Sequence, residues 1–87
     1  MGFFDSLLKG GDQANDLKRL FSEERYGDSS ELRQIVRDYH NGEVNYNLKQ
    51  LYRDASRICG DNYFWQKNNE RARMEWLVKR IEAYLES

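Results

Sequence analysis

Few residues in this chain are of the types that do chemistry, and their spacing does not build a site. His40 is the only histidine and Cys59 the only cysteine among 87 residues. Zinc takes about four Cys, His or carboxylate ligands, and these two residues stand at no ligand spacing. No nucleophile or orienting group stands in a recognisable relation to His40, as general-base catalysis requires. The sequence therefore predicts a protein that is not an enzyme and has neither a metal nor a cofactor.

The cysteine count and the charge balance restrict the classes of partner. A single cysteine cannot form an internal disulfide, which argues against a secreted disulfide scaffold and favours the reducing cytoplasm. Lys and Arg number 14 against 15 Asp and Glu, for a net charge of −1, so the chain as a whole does not attract nucleic acid or anionic lipid. No stretch approaches the ~20 apolar residues of a membrane span. We expect a cytoplasmic protein without a membrane span.

Helices must position these residues, because apolar residues recur at helical spacing and no run alternates as in a strand. The chain has no proline, and glycines divide it into segments of helical length. We predict helices over about 12–25, 28–40, 45–59 and 61–87, the last being one long helix. The glycines after each of the first three segments end them.

The predicted fold is all-α. We expect a compact bundle of about four helices over residues 12–87, forming one domain, preceded by a short apolar N-terminal arm over residues 1–11. Asp12 and Asp28 are the expected N-caps of the first two helices. The expected core is one cluster of apolar residues from the last three helices: Leu32, Ile35, Val36, Leu48, Leu51, Ala55, Ile58, Leu77 and Ile81.

The N-terminal arm is apolar and short. It carries Phe3, Phe4, Leu7 and Leu8. Its opening Met-Gly-x-x-x-Ser matches the loose pattern for N-myristoylation, but one acyl chain without a basic patch binds a membrane only marginally. The favoured interpretation is a segment that docks on the domain or frays.

The predicted last helix carries a second apolar stripe. At ~100° per residue, Leu77 and Ile81 lie at the centre of its main apolar face. Arg73 and Arg80 lie at the boundary of that face and are expected to lay their stems over the Trp76 ring. A second row lies roughly 140–160° from the centre of the main face by the same geometry: Trp65, Ala72, Trp76 and Ala83. A helix that is apolar on two sides is packed on two sides.

This second row has two candidate occupants, the N-terminal arm and another protein chain. Trp and Arg are enriched among interface hot spots, and Ala permits close approach of a second helix. We slightly favour an interface, and hence a small regulator, adaptor or inhibitor that binds another protein or forms a homo-oligomer. The expected partner-binding residues are Trp65, Ala72, Arg73, Trp76, Arg80 and Ala83.

Nucleic acid is the second, less favoured partner. The predicted second and third helices are joined by a short turn over 40–43, an arrangement that resembles helix-turn-helix. A DNA- or RNA-binding regulator would then use residues of about 30–59. However, Asp38 stands where close packing of the two helices needs a small apolar residue. The third helix carries only three cations, Lys49, Arg53 and Arg57, which favours an ordinary helical hairpin.

Overall fold

The computed structural model of the protein describes residues 13–23, residue 26 and residues 29–87. The predicted N-terminal arm over 1–11 and the expected caps Asp12 and Asp28 lie outside the described residues.

Five helices and no strand make up the described part of the chain. Helix α1 covers residues 13–21. It is followed by α2 (Ser29–His40), α3 (Tyr46–Cys59), α4 (Tyr63–Lys67) and α5 (Glu70–Glu86). The prediction of an all-α bundle with four main helices is confirmed, and the fifth helix is the short α4.

Asparagine begins three of these helices. The side-chain oxygens of Asn45, Asn62 and Asn69 accept hydrogen bonds from the backbone N–H three residues on, at 2.8, 3.3 and 2.9 Å. Each cap satisfies one of the N–H groups that the first turn of a helix leaves without a partner. After the last residue of α2, Gly42 has a φ of 85°. This left-handed backbone ends the helix where Asn41-Gly42 predicted an end.

The prediction of a single helix over 61–87 is wrong. The chain leaves the helical conformation at Asn68 and Asn69, whose ψ angles are 153° and 173°. Asn69 caps α5, and the side-chain amide of Asn68 donates a hydrogen bond to the carbonyl oxygen of Phe64 at 2.9 Å. Asparagine side chains compete with the helix for backbone groups in this way. The long helix was predicted from the spacing of apolar residues, and that spacing contains no information about side-chain hydrogen bonds to the backbone.

Helix α5 is the central helix of the bundle. It packs chiefly on α2. It also meets α1, where the rings of Phe21 and Tyr84 are 5.5 Å apart, and α4, where the rings of Trp65 and Trp76 are 5.9 Å apart.

The predicted core is confirmed, with two of its nine residues at the margin. Val36 and Ile58 are partly buried and pack against the core, while the other seven are buried. Cys59 is buried in the same cluster, as expected of a small apolar side chain. The structure adds residues from α1, the following turn and α4: Leu17, Leu20, Phe21, Tyr26 and Trp65.

Candidate functional site

Trp65 lies in the interior and not on a surface row of the last helix. Its side chain is only 3% exposed, and its ring lies 5.4 Å from that of Tyr52 in α3. The break at residues 68 and 69 ends the 100° progression that placed Trp65 in line with Trp76. The predicted continuous row on one helix is therefore wrong, because α4 folds back against α5.

Arg73 holds this folded-back segment in place. Its guanidinium lies 5.4 Å from the centre of the Trp65 ring, and its Nε donates a hydrogen bond to the Trp65 carbonyl oxygen. The bond satisfies a carbonyl that the short helix α4 leaves open at its end. The expectation that Arg73 covers Trp76 is wrong, because Trp65 occupies that side of Arg73.

The ring of Trp76 has three neighbours: the buried ring of Trp65, the exposed ring of Phe64 and the guanidinium of Arg80. Arg80 stacks on it at 4.9 Å, as expected. The ring of Phe64 in α4 lies 5.7 Å away. Phe64 is 37% exposed and its neighbour Tyr63 is 74% exposed. We call Tyr63 and Phe64 the aromatic shoulder. Their rings are exposed, whereas Trp76 beside them is partly buried against the core.

A groove runs beside the shoulder, between α1 and α5. It has a volume of about 490 Å³, which is within the range of sites that bind small molecules or a few side chains. We call it the α1/α5 groove. Helix α1 contributes Gln13, Ala14, Leu17, Lys18 and Phe21; the remaining lining residues are Asn62, Trp76, Arg80, Ala83, Tyr84 and Ser87.

Half of the predicted partner-binding residues line this groove. Trp76, Arg80 and Ala83 do so. The other three lie outside its lining: Trp65 in the core, Arg73 over Trp65, and Ala72 near the first turn of α5. The structure thus brings together the C-terminal part of the predicted row and separates it from the N-terminal part.

Sequence reasoning missed the contribution of α1 and α4 to this surface. The apolar face of α1 was visible in the spacing of Leu17 and Phe21, but spacing does not say which neighbour a helix meets. Phe64 had a readable signal, because the pair Asn68-Asn69 before an acidic residue is typical of a helix start. Ending a helix before these two asparagines would have placed Phe64 on a separate short helix.

The α2–α3 hairpin presents a different surface, in which polar side chains are bonded to one another. The side-chain amide of Asn45 donates to Asp38 at 2.7 Å, and that of Asn47 donates to Glu31 at 2.7 Å. The hydrogen bond from Asn45, followed by that from Gln34, lowers the pKa of Asp38 below its ordinary value. The bond between Asp38 and Asn45 joins α2 to the N-cap residue of α3.

A depression of about 450 Å³ between α3 and α5 is of mixed charge. Lys49 and Arg53 line it from α3, and Glu70 lines it from α5. Arg57, the third cation of α3, is 3.6 Å from Asp54. The cations of α3 thus share their surroundings with carboxylates, and this surface has no single sign of charge to offer a phosphate backbone.

The part of the chain that the structure describes holds no grouping of potential metal ligands. No three His, Cys, Asp or Glu residues come together there as a metal site would need. His40 lies on the surface, with its Nε2 3.3 Å from a carboxylate oxygen of Glu82. No helix of the described residues has the length and apolarity required to cross a bilayer.

Compared with protein-family models, curated proteins and solved structures, the chain matches none of them.

Proposed function

We propose that this chain is a small, non-enzymatic interaction protein of the cytoplasm, a regulator, adaptor or inhibitor. It binds another protein, or a second copy of itself, through the α1/α5 groove and the aromatic shoulder. The observation that carries this proposal is the exposed ring of Phe64, which lies 5.7 Å from Trp76, a residue of the groove lining; its neighbour Tyr63 is exposed as well. Contiguous exposed apolar surface bordered by polar residues is typical of protein contact sites.

The groove has the composition of an interface centre. A partly buried Trp with an Arg stacked on it supplies a large rigid contact area, and both residue types are enriched among hot spots. Ala83 beside them leaves room for an incoming side chain or helix. An amphipathic helix laid along a groove between two helices is a common recognition mode that uses such a lining.

Capture from a native lysate tests this function, with two matched substitutions on the same helix. Ala83→Glu places a charge in the groove. Ala72→Glu makes the same change three turns earlier, on nearly the same side of α5 but outside the groove. Because Ala72 is half-buried and Ala83 exposed, circular dichroism first checks that both variants fold. We expect Ala83→Glu to lose the captured protein and Ala72→Glu to keep it, because a charge in a dry interface is costly. Analytical ultracentrifugation of the two variants tests self-association in the same way. We expect Ala83→Glu to abolish any dimer and Ala72→Glu to retain it.

Two results would contradict the use of the groove. If both variants lose the partner, the contact follows the originally predicted row and extends beyond the groove. If neither variant loses it, the contact lies elsewhere on the molecule.

The alternative function is binding of DNA or RNA through residues of about 30–59. Its support is the exposed pair Lys49 and Arg53, one turn apart on α3. Repeating the capture after nuclease treatment separates the two functions. A signal that disappears with nuclease and falls steeply with salt would favour nucleic acid, whereas a partner that survives nuclease favours the groove.

A further inference from the structure

The α1/α5 groove lies beside the point at which the described chain begins. Gln13, the first described residue, lines the groove, and its Oε1 accepts a hydrogen bond from the side-chain amide of Asn62 at 2.8 Å. We propose that the groove binds residues 3–8 of the same chain, so that the protein carries an intramolecular ligand for its own contact surface. The docking itself depends only on the groove, while its regulatory consequence rests on the proposed function.

The sequence of this segment complements the lining of the groove. Its four apolar residues stand at i, i+1, i+4 and i+5: Phe3, Phe4, Leu7 and Leu8. In a helix this spacing puts all four on one face. Among the described residues that line the groove, the charged side chains are those of Lys18 and Arg80. Asp5 carries the opposite charge, but on such a helix it lies about 130° from the centre of the apolar face, so the four apolar side chains carry the docking.

The connecting residues are long enough to return the segment to the groove. Residues 9–12 span up to ~14 Å when extended, which exceeds the ~10 Å between the axes of two packed helices. Residues 10 and 11 are both glycine, and glycine adopts the positive φ angles of a sharp reversal without steric cost. A helix over 3–8 would be ~9 Å long, shorter than the ~14 Å of the nine-residue α1 beside which it would lie.

An attached ligand needs only weak intrinsic affinity. A short flexible linker holds it at an effective concentration in the millimolar range. Half of the molecules are then occupied when the intrinsic Kd is itself ~1 mM. Four apolar side chains entering a groove of about 490 Å³ supply enough apolar contact for an affinity of this order.

The consequence is competition at one surface. A partner that uses the groove must displace residues 3–8, so its apparent affinity is reduced by the fraction of molecules whose groove is open. Weakening the segment would therefore strengthen partner binding, whereas weakening the groove would abolish both contacts.

A nitroxide label on the full chain tests the docking. Ser6→Cys places the label on the side of the segment away from its apolar face. Cys59 is 1% exposed and burial raises its pKa to about 11, so the thiol at position 6 takes the label. We expect the oxidised nitroxide to broaden the amide NMR signals of Leu17 and Ala83 beyond detection, and these signals to return when the nitroxide is reduced. The signal of Gln50, in α3, serves as the reference that is retained. Adding Phe3→Ser and Leu7→Ser should restore the two groove signals.

Three results would overturn the inference. The groove signals could persist; all surface signals could weaken alike; or the loss could survive Phe3→Ser and Leu7→Ser. A further sample mixes labelled, NMR-silent chains with unlabelled, ¹⁵N-enriched chains. Loss of the groove signals in that sample would assign the groove to the segment of a second copy and also overturn the intramolecular assignment.

The test separates this inference from the proposed function. If the label leaves the groove untouched while Ala83→Glu loses a captured partner, only the intramolecular ligand is wrong. If the label reports docking while the capture is unaffected by Ala83→Glu, the intramolecular ligand stands and the partner-binding role of the groove is wrong.

Discussion

Two surfaces of this bundle use their polar side chains in different ways. At the α2–α3 hairpin, polar side chains are bonded within the chain, as Asn45 is to Asp38 and Asn47 to Glu31. Between α1 and α5, Trp76 packs against the core but remains partly exposed, and the exposed ring of Phe64 in α4 lies against it. The first surface also exposes Val44 and Tyr46, but its polar side chains are already bonded to one another. At the second surface the exposed Phe64 ring lies against Trp76, which lines a groove that a partner could fill. We therefore propose that the groove, and not the hairpin, contacts another chain.

The largest effect is expected when the two tryptophans are compared. Trp65→Ala should lower the free energy of unfolding by about 3–5 kcal/mol, because it removes a buried aromatic ring. Trp76→Ala should cost less, because this ring is only partly buried. Chemical denaturation of both variants checks the order. Equal losses would show that Trp76 is as much a core residue as Trp65, and would remove the main apolar element of the groove.

A slightly smaller loss is expected at the core of the hairpin. Leu51 is fully buried in α3, so Leu51→Ala should cost about 2–5 kcal/mol through lost contacts and the cavity left behind. Thermal and denaturant unfolding measure it. Gln50→Ala, one residue earlier on the more exposed side of α3, is the control and should cost far less. A neutral Leu51→Ala would contradict the position of α3 in the bundle.

The capping role of Asn45 gives a smaller and more specific effect. Asn45→Ala should destabilise the protein by about 1 kcal/mol, because the first turn of α3 loses its cap. The substitution also removes the hydrogen bond that contributes most to the lowered pKa of Asp38. That pKa should therefore rise toward its ordinary value, which NMR titration of the Asp38 carboxyl measures.

The pH dependence follows with a definite sign. A carboxyl whose pKa is lower in the folded state contributes stability above its unfolded pKa, and this contribution is lost as the pH falls through the folded value. The Asp38 contribution is thus present at neutral pH and disappears in acid, and Asn45→Ala should reduce it. An unchanged titration in this variant would show that Asn45 does not bind Asp38 in solution.

The smallest effect is expected in the groove itself. Ala83 is exposed at the surface of α5, so Ala83→Glu should change the free energy of unfolding by no more than ~0.5 kcal/mol. Circular dichroism and thermal unfolding check this. A large loss of stability would show that position 83 is packed in the native protein, and loss of a partner in this variant would then not report on an interface.

The sequence predicted the helices and the core better than it predicted the surface. Positions such as Leu48 and Leu77 were found because burial imposes a spacing that the sequence displays. The path of the chain at Asn68 and Asn69 was missed, because it depends on side-chain hydrogen bonds that have no period. Once that break was missed, Trp65 was assigned to the surface.

The candidate site was predicted only as far as it lies on one helix. Trp76, Arg80 and Ala83 share α5 and follow its geometry, so periodicity found them together. The other wall of the groove, including Leu17 and Phe21, comes from a helix distant in sequence. Its placement follows from tertiary packing, which a single sequence does not display.

Photo-crosslinking in intact cells tests the central comparison most directly. A benzoyl-phenylalanine replaces Lys18, at the edge of the groove, in one full-length variant and Tyr46, which is 71% exposed on α3, in the other. We predict that position 18 forms adducts with another polypeptide or with residues 1–12, and that position 46 forms none above background. Adducts with protein or nucleic acid from position 46, with none from position 18, would contradict the assignment of contact to the groove.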